Sequence, residues 1–305
     1  MFLKHNQSKL RIADYQSLVD AIEQNEDLDR IGKVTILPST FIGGYRWFSE
    51  MKHDGYALVK FFGKPDLFIT FTCNLKWEEI QRELRNQQSA TDRQDLIARV
   101  FHLKVNLLMD VIVNKQIFGK IRSHMRTFEW QKRGLPHVHI LLWMEDRIDP
   151  DEIDNFISAE IPDEEFDPEL FRIVTTFMLH GPCGHFNPHC TCMVDGQCSK
   201  EFPKELRAET QMTRSSYPLY RRRSVEDGGR QVEKGQFVFD NQWVVPYCPF
   251  LSRLLNAHVN VEYCRSIKSV KYLCKYVTKG QDMAVFQLAK RGQDVDEIQD
   301  FRHAR

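Results

Sequence analysis

Apolar residues in this chain recur with two different periods, and the switches between them mark its elements. Tyr15, Leu18, Val19 and Ile22 fall at helical spacing and predict a short amphipathic helix. Val34–Thr35–Ile36–Leu37 reads as extended up to Pro38. Ser39 or Thr40 then opens the approach to a second helix carrying Trp47, Phe48, Met51, Leu58 and Val59, with Gly63 at its stop. After Pro65, the run Asp66–Leu67–Phe68–Ile69–Thr70–Phe71–Thr72–Cys73–Asn74 is β-branched and aromatic, which predicts a buried strand ending in a polar corner. Leu96, Val100, Leu103, Leu107 and Val111 predict a third helix, with Thr91 or Asp92 as its cap.

A hairpin follows in the pattern. One arm ends near Glu129, Lys132–Arg133–Gly134 forms the turn, and the return arm is Pro136–His137–Val138–His139–Ile140–Leu141–Leu142–Trp143. From about Glu145 to Asp240 the periodicity weakens and predicts an insertion with little regular structure. Order resumes at Trp243–Val244–Val245–Pro246–Tyr247 and in the alternating run Ala257–Glu262, before a last helix from Ser266 to Lys279.

Composition adds boundaries. At 305 residues the chain can bury a full core, as one large domain or two smaller ones. No apolar run is long enough to span a bilayer, and the first residues lack a secretory h-region. We therefore expect a soluble intracellular protein without a membrane partner, where clustered cysteines point to metal sooner than to disulfides. Lys plus Arg and Asp plus Glu are 42 each, so net charge does not announce a polyanionic partner. The charge is segregated, however. Glu145–Glu169 is acidic and reads as a solvated face, while Arg221–Arg222–Arg223 and the run from Arg265 to Lys279 are basic stripes able to hold phosphates.

Three constellations carry chemistry. In an extended chain His137 and His139 share a face while Val138 and Ile140 point into packing. Two imidazoles on one rigid strand are the start of a metal site, which needs a third ligand. Glu129 on the preceding arm is the first candidate, with Glu262 or His258 as fallback. A plain two-residue turn would put Glu129 on the face of Val138, so this choice requires a bulge or an odd-length connection. On the last helix Ile267, Val270, Leu273, Cys274 and Val277 cover one side. Tyr272 and Tyr276 sit one turn apart on the other, beside Lys268, Lys275 and Lys279. Tyrosines at a core edge would look the same. As nucleophiles, phenols of pKa about 10 need lysines and a polarised phosphate to attack at neutral pH. The third constellation is His180, Cys183, Cys192 and Cys198, with His185, His189 and Cys190 interleaved, in a segment with too few apolar residues to fold alone. A tetrahedral zinc site of the first four would stabilise it.

Together, the His-hydrophobe-His pair, the downstream Tyr272–Tyr276 spacing and the Phe68–Ile69–Thr70–Phe71–Thr72–Cys73–Asn74 strand resemble the HUH endonucleases. Within that group the chain is similar to the replication-initiator, or helicase-like, domain of Helitron transposons. The similarity is carried by Ile36–Ser39, Phe62–Asn74, Gln131–His137, His180–Gly184, Cys198–Lys200, Val244–Tyr247 and Lys271–Leu273. The resemblance implies an α+β fold, an antiparallel sheet with packed helices, the histidines on a central strand and the tyrosine helix opposite. It divides the chain into an N-terminal helical segment (1–30), a first core part (31–145), an insertion with a zinc-binding loop (146–240) and a last strand with the tyrosine helix (241–305). It implies Mg²⁺ or Mn²⁺ at His137, His139 and a third group, nicking of single-stranded DNA by Tyr272 or Tyr276 through a 5′-phosphotyrosine, DNA contacts from Lys268, Lys279 and Arg221–Arg223, and a nuclear location.

The sequence departs from that pattern in two places. Family members tend to have Asn-Pro-Tyr where Cys248–Pro249–Phe250 stands, and no Gly-rich Walker sequence is present. Any helicase is expected from elsewhere, and the chain to be a fragment, a separate nicking domain or a decayed element. The competing expectation is a catalytically silent, zinc-stabilised single-strand-binding remnant. A small-molecule metallohydrolase would need further His and Asp ligands on successive strands, and no convincing set is found.

Overall fold

The computed structural model describes Thr40 and residues 45–130, 135–214 and 216–264. The chain divides into two compact units, Met1–Trp47 and Phe48–Arg305, and the elements that follow belong to the second, with the first helix beginning just before its boundary. Helix α1 spans Tyr45–Phe62, where the second helix was predicted. The predicted N-terminal helix, the hairpin turn and the tyrosine helix lie outside the described residues.

Strand β1, Leu67–Thr72, is the aromatic and β-branched run after Pro65. Its polar corner takes a definite form: Asn74 donates to the Asn256 carbonyl at 2.7 Å and accepts from the Lys76 amide at 2.9 Å. Helix α2, Gln94–Met109, continues as a π turn through Asn114. The hairpin arms are β2, Ile121–Trp130, and β3, Pro136–Met144. Helices α3, Pro168–Phe177, and α4, Pro249–Leu255, precede β4, Val259–Tyr263. The sheet is antiparallel in the order β4-β1-β3-β2, so the histidine strand is internal. The fold is α+β, as expected.

Period-two alternation sorts the sheet into two faces. Leu67, Ile69 and Phe71 of β1, Val138, Ile140 and Leu142 of β3, and Val259, Val261 and Tyr263 of β4 pack with α2 and α4 into the main core. The opposite face is apolar at one end, where Phe68, Leu141, Trp143 and Cys264 pack against Met51, Leu58, Val59 and Phe62 of α1. Its other end is polar and carries the histidines.

Two expectations are corrected. Helix α2 buries Ile97, Val100, Phe101, Val105 and Leu108 and leaves Leu103 67% exposed. The buried stripe is turned by about one residue because the Phe101 ring packs 5.1 Å from Phe71. Nor do Thr91 and Asp92 cap α2. Asp92 instead closes a capping box with Ser89 on the 3₁₀ turn before it. The segment read as irregular also contains α3, capped by Asp167, whose side chain accepts from the Leu170 amide, and started by Pro168. Its Leu170 and Val174 pack on Ile161, Met178, Val244 and Tyr247.

Candidate functional site

Pairing places Glu129 directly opposite His137, and Thr127 opposite His139. Trp130 pairs with Pro136, leaving an odd number of residues, 131–135, between the arms. That odd length puts Glu129 on the histidine face. His139 Nε2 lies 3.3 Å from Glu129 Oε2, both side chains being largely buried. Of the fallback ligands, Glu262 pairs opposite Phe68, further along the sheet, and accepts from Asn260. His258 is closer: its Nδ1 is 3.4 Å from Thr72 Oγ1.

The strand β1 supplies residues that the sequence reading left unassigned. Thr70 Oγ1 is 3.0 Å from His139 Nδ1, and Thr72 Oγ1 is 3.0 Å from His137 Nδ1. A hydroxyl both donates and accepts, so each threonine can hold its ring whichever nitrogen carries the proton. When Nε2 is given to a cation, Nδ1–H donates to the threonine and fixes the ring. The Phe68 ring stacks on His139 at 5.8 Å and 5°. The signal was present in the sequence, since Thr70 and Thr72 alternate with Ile69 and Phe71. Burial, and then the neighbouring His137, push the His258 imidazolium down to about 4, so it is neutral at physiological pH.

The Cys/His segment is the more tightly assembled cluster. The ligand atoms of His180, Cys183, Cys192 and Cys198 all lie within 4.8 Å of one another. No other group of three or more such residues among those described converges in this way, the His137, His139 and Glu129 set included. Three sulfurs and one imidazole are a zinc donor set, and tetrahedral arms of about 2.0–2.3 Å fit that span. The cluster can hold a metal such as zinc.

Local chain geometry explains the convergence. Cys192 precedes and Cys198 ends a two-stranded ladder, Met193–Val194 with Gln197–Cys198, joined by Asp195–Gly196 with both residues at positive φ. The Ser199 amide closes it on the Cys192 carbonyl at 2.7 Å. Burial alone would raise the Cys198 thiol, but the Phe202 and Lys200 amides that bond it hold it below the usual range. Burial raises Cys192 and Cys183. It lowers His180, as do Lys200 and Lys204 nearby. The His180 ring stacks on Phe202 at 4.3 Å.

The basic triplet is placed differently from expectation. Arg222 is 3% exposed, and its guanidinium donates to the carbonyls of Asn241 at 2.5 Å and Val244 at 2.7 Å. Burial pushes it down to about 10, which leaves it charged, but it has no surface to offer a phosphate. Arg223 grips Glu160 at 2.6 Å, and Arg221 reaches the same carboxylate at 3.3 Å. Glu160 itself is buried, against the reading of its acidic neighbourhood as a solvated face. The carbonyls turn Arg222 inward, while Arg221 and Arg223 stay partly exposed and are held by Glu160. Tyr272, Tyr276, Lys275, Lys268 and Lys279 lie outside the described residues. No described helix is long and apolar enough to cross a membrane.

Comparison with known proteins bears on the first half of the chain. No curated protein matches it. Residues 1–142 match the model of the Helitron helicase-like domain found at the N-terminus of such proteins. The matched stretch runs through β1, β2 and most of β3, and so takes in Glu129 and both histidines, whereas the Cys/His lobe lies beyond it. That similarity covers somewhat less than half of the chain, and it is residues 1–142 that resemble the Helitron helicase-like domain.

Proposed function

We propose that this chain nicks single-stranded DNA and transfers the strand through a 5′-phosphotyrosine, as in rolling-circle transposition. The observation that carries the reading is the hairpin register, which sets Glu129 on the face of His137 and His139 while Thr70 and Thr72 hold the two Nδ1 atoms. Two imidazoles and a carboxylate with spare positions suit Mg²⁺ or Mn²⁺. When bound, such a cation polarises a non-bridging phosphate oxygen.

The chain's own residues supply the remainder. Tyr272 or Tyr276 gives up its phenolic proton and its oxygen attacks phosphorus. An O–P bond to tyrosine forms, the bond from phosphorus to the 3′-oxygen breaks, and that oxygen leaves as a protonated 3′-hydroxyl. One phosphodiester is exchanged for another, so the link can be rejoined without a nucleotide cofactor. Lys275 stabilises the phenolate, and the second tyrosine allows a second transfer while the first is held. Lys268 and Lys279 meet flanking phosphates.

The test is an SDS-stable adduct between the full chain and labelled single-stranded oligonucleotides in Mn²⁺. Tyr272→Phe with Tyr276→Phe should abolish it, and His139→Ala should reduce it at least a hundredfold. Adduct surviving the double tyrosine change overturns the nucleophile assignment; adduct unaffected by His139→Ala overturns the metal site. A silent strand-binding module is favoured by one observation, that the most convergent ligand cluster has the composition of a structural zinc site. It would show salt-sensitive binding and no adduct in any divalent metal.

A further inference from the structure

A groove of about 960 Å³ runs between the polar end of the sheet and the Cys/His lobe. Its sheet wall includes Thr70, His258 and Asn260; its outer wall is built from the segment that follows Cys198, with Ser199, Lys200, Phe202 and Lys204. The groove thus borders both metal-type clusters, the first through residues that hold its histidines and the second through His180. Thr70 holds His139 and His258 shares Thr72 with His137, while His180 of the cysteine cluster also lines the groove. Its volume is at the upper end for small-ligand pockets, roughly 300–1,000 Å³, which suits a segment of polymer.

The side chains on the outer wall select among polymers. Lys200 is exposed and makes no ion pair among the described residues. The Lys204 ammonium lies 5.3 Å from the Phe202 ring centre and 3.3 Å from Glu201 Oε2. Arg207 pairs with Glu205 at 2.9 Å. Glu201 and Glu205, which also line the groove, are exposed while Lys204 and Arg207 are half-buried; pairs open to water on the carboxylate side are weak, so the cations can exchange a glutamate for phosphate. Ammonium groups along a wall of aromatic surface match a single strand, whose phosphates meet the cations while its bases meet rings. The position of this lobe also answers a geometric need: a phosphate at the histidines must belong to a strand that continues somewhere, and Thr70, which holds His139, forms part of the groove's wall.

We infer that this groove is the track for the single-stranded DNA segment adjoining the scissile phosphate, with the Cys/His lobe as its outer wall and Lys200 and Lys204 as phosphate contacts. The assignment rests on the nicking reading but is tested without cleavage. Binding of a fluorescein-labelled 15-nucleotide strand to the zinc-loaded full chain is followed by anisotropy from 50 to 300 mM KCl. Lys200→Glu with Lys204→Glu should weaken binding at least tenfold at low salt. It should also make the salt dependence shallower by about 1.4 in log–log slope, at about 0.7 per contact. The milder Lys200→Ala/Lys204→Ala pair should fall between, and Lys115→Glu, outside the groove, should match the unaltered chain. Zinc content should be the same throughout.

Unchanged affinity and slope in both lysine pairs overturn the track, even where adduct still forms and the nicking reading stands. Weakened binding by the pairs with no adduct from any form supports the track and overturns the nicking reading. An unaltered chain that binds no single strand overturns both.

Discussion

At the scale of residues, the cation site proposed on the histidine face would depend on groups beyond its ligands. Thr70 and Thr72 each sit 3.0 Å from an imidazole Nδ1, and outer partners of this kind orient the ligand and set its tautomer. Thr70→Val with Thr72→Val keeps the shape of β1 and removes both hydroxyls. We expect Mn²⁺ affinity at this site to fall by roughly 10–100-fold, measured by titration calorimetry on zinc-loaded protein. Unchanged affinity would remove the threonines from the site. Glu160 makes a second residue-level case. Burial alone would raise its pKa, but the hydrogen bonds and charge of Arg223, with Arg221, bring it below the usual carboxylate value of 4.5. A lowered folded pKa means that Glu160 stabilises the fold fully above about pH 4.5, a contribution lost as pH falls through the folded value. Glu160→Gln should cost about 1–3 kcal/mol at pH 7 by urea unfolding, and the difference from the unaltered chain should shrink in acid. A difference independent of pH would mean that packing, not charge, is what Glu160 contributes.

At the scale of elements, the hairpin and the Cys/His lobe solve the same problem by different means. Strands β2 and β3 hold their register through a long ladder and need no ligand to position Glu129 against His137. The lobe has only two- and three-residue ladders, and its buried cluster is limited to Cys183, Phe239 and Trp243. Ligand bonds are what such a segment lacks. Gly181 shows how closely it is packed: its φ is +101°, and a Cβ there would meet the Cys183 amide at 3.0 Å and the Trp243 ring at 3.1 Å. Removal of zinc by a strong chelator should therefore raise amide exchange across residues 180–202 while β1 and β3 stay protected. Equal loss of protection in the sheet would show that lobe and sheet unfold as one unit.

At the scale of the whole molecule, some features were legible along the chain and others were decided by packing. Alternation in Phe68–Thr72 and Pro136–Trp143 named two strands of the sheet and the face on which both histidines lie, because side-chain direction in a strand is a local property. The grouping of His180, Cys183, Cys192 and Cys198 was also readable, because few apolar residues surround them and three thiols with an imidazole are a zinc donor set. Helix α3 has its signals in Asp167–Pro168 and in the spacing of Leu170, Ile173 and Val174, but its ten residues follow an acidic run in which few apolar positions repeat, so the period is weak along the chain. The inward turn of Arg222 could not have been read, for nothing local distinguishes it from Arg221 and Arg223. Only the carbonyls of Asn241 and Val244, brought to it by the fold, make burial of that charge tolerable. So the sequence alone determined which residue types share a strand face or a loop, since periodicity and spacing act over a few residues. The tertiary structure alone decided that Glu129 meets His137, that Thr70 and Thr72 hold the imidazoles, and that one groove is lined by both Thr70 and His180, because register and the packing of distant segments arise only when the whole chain closes on its core.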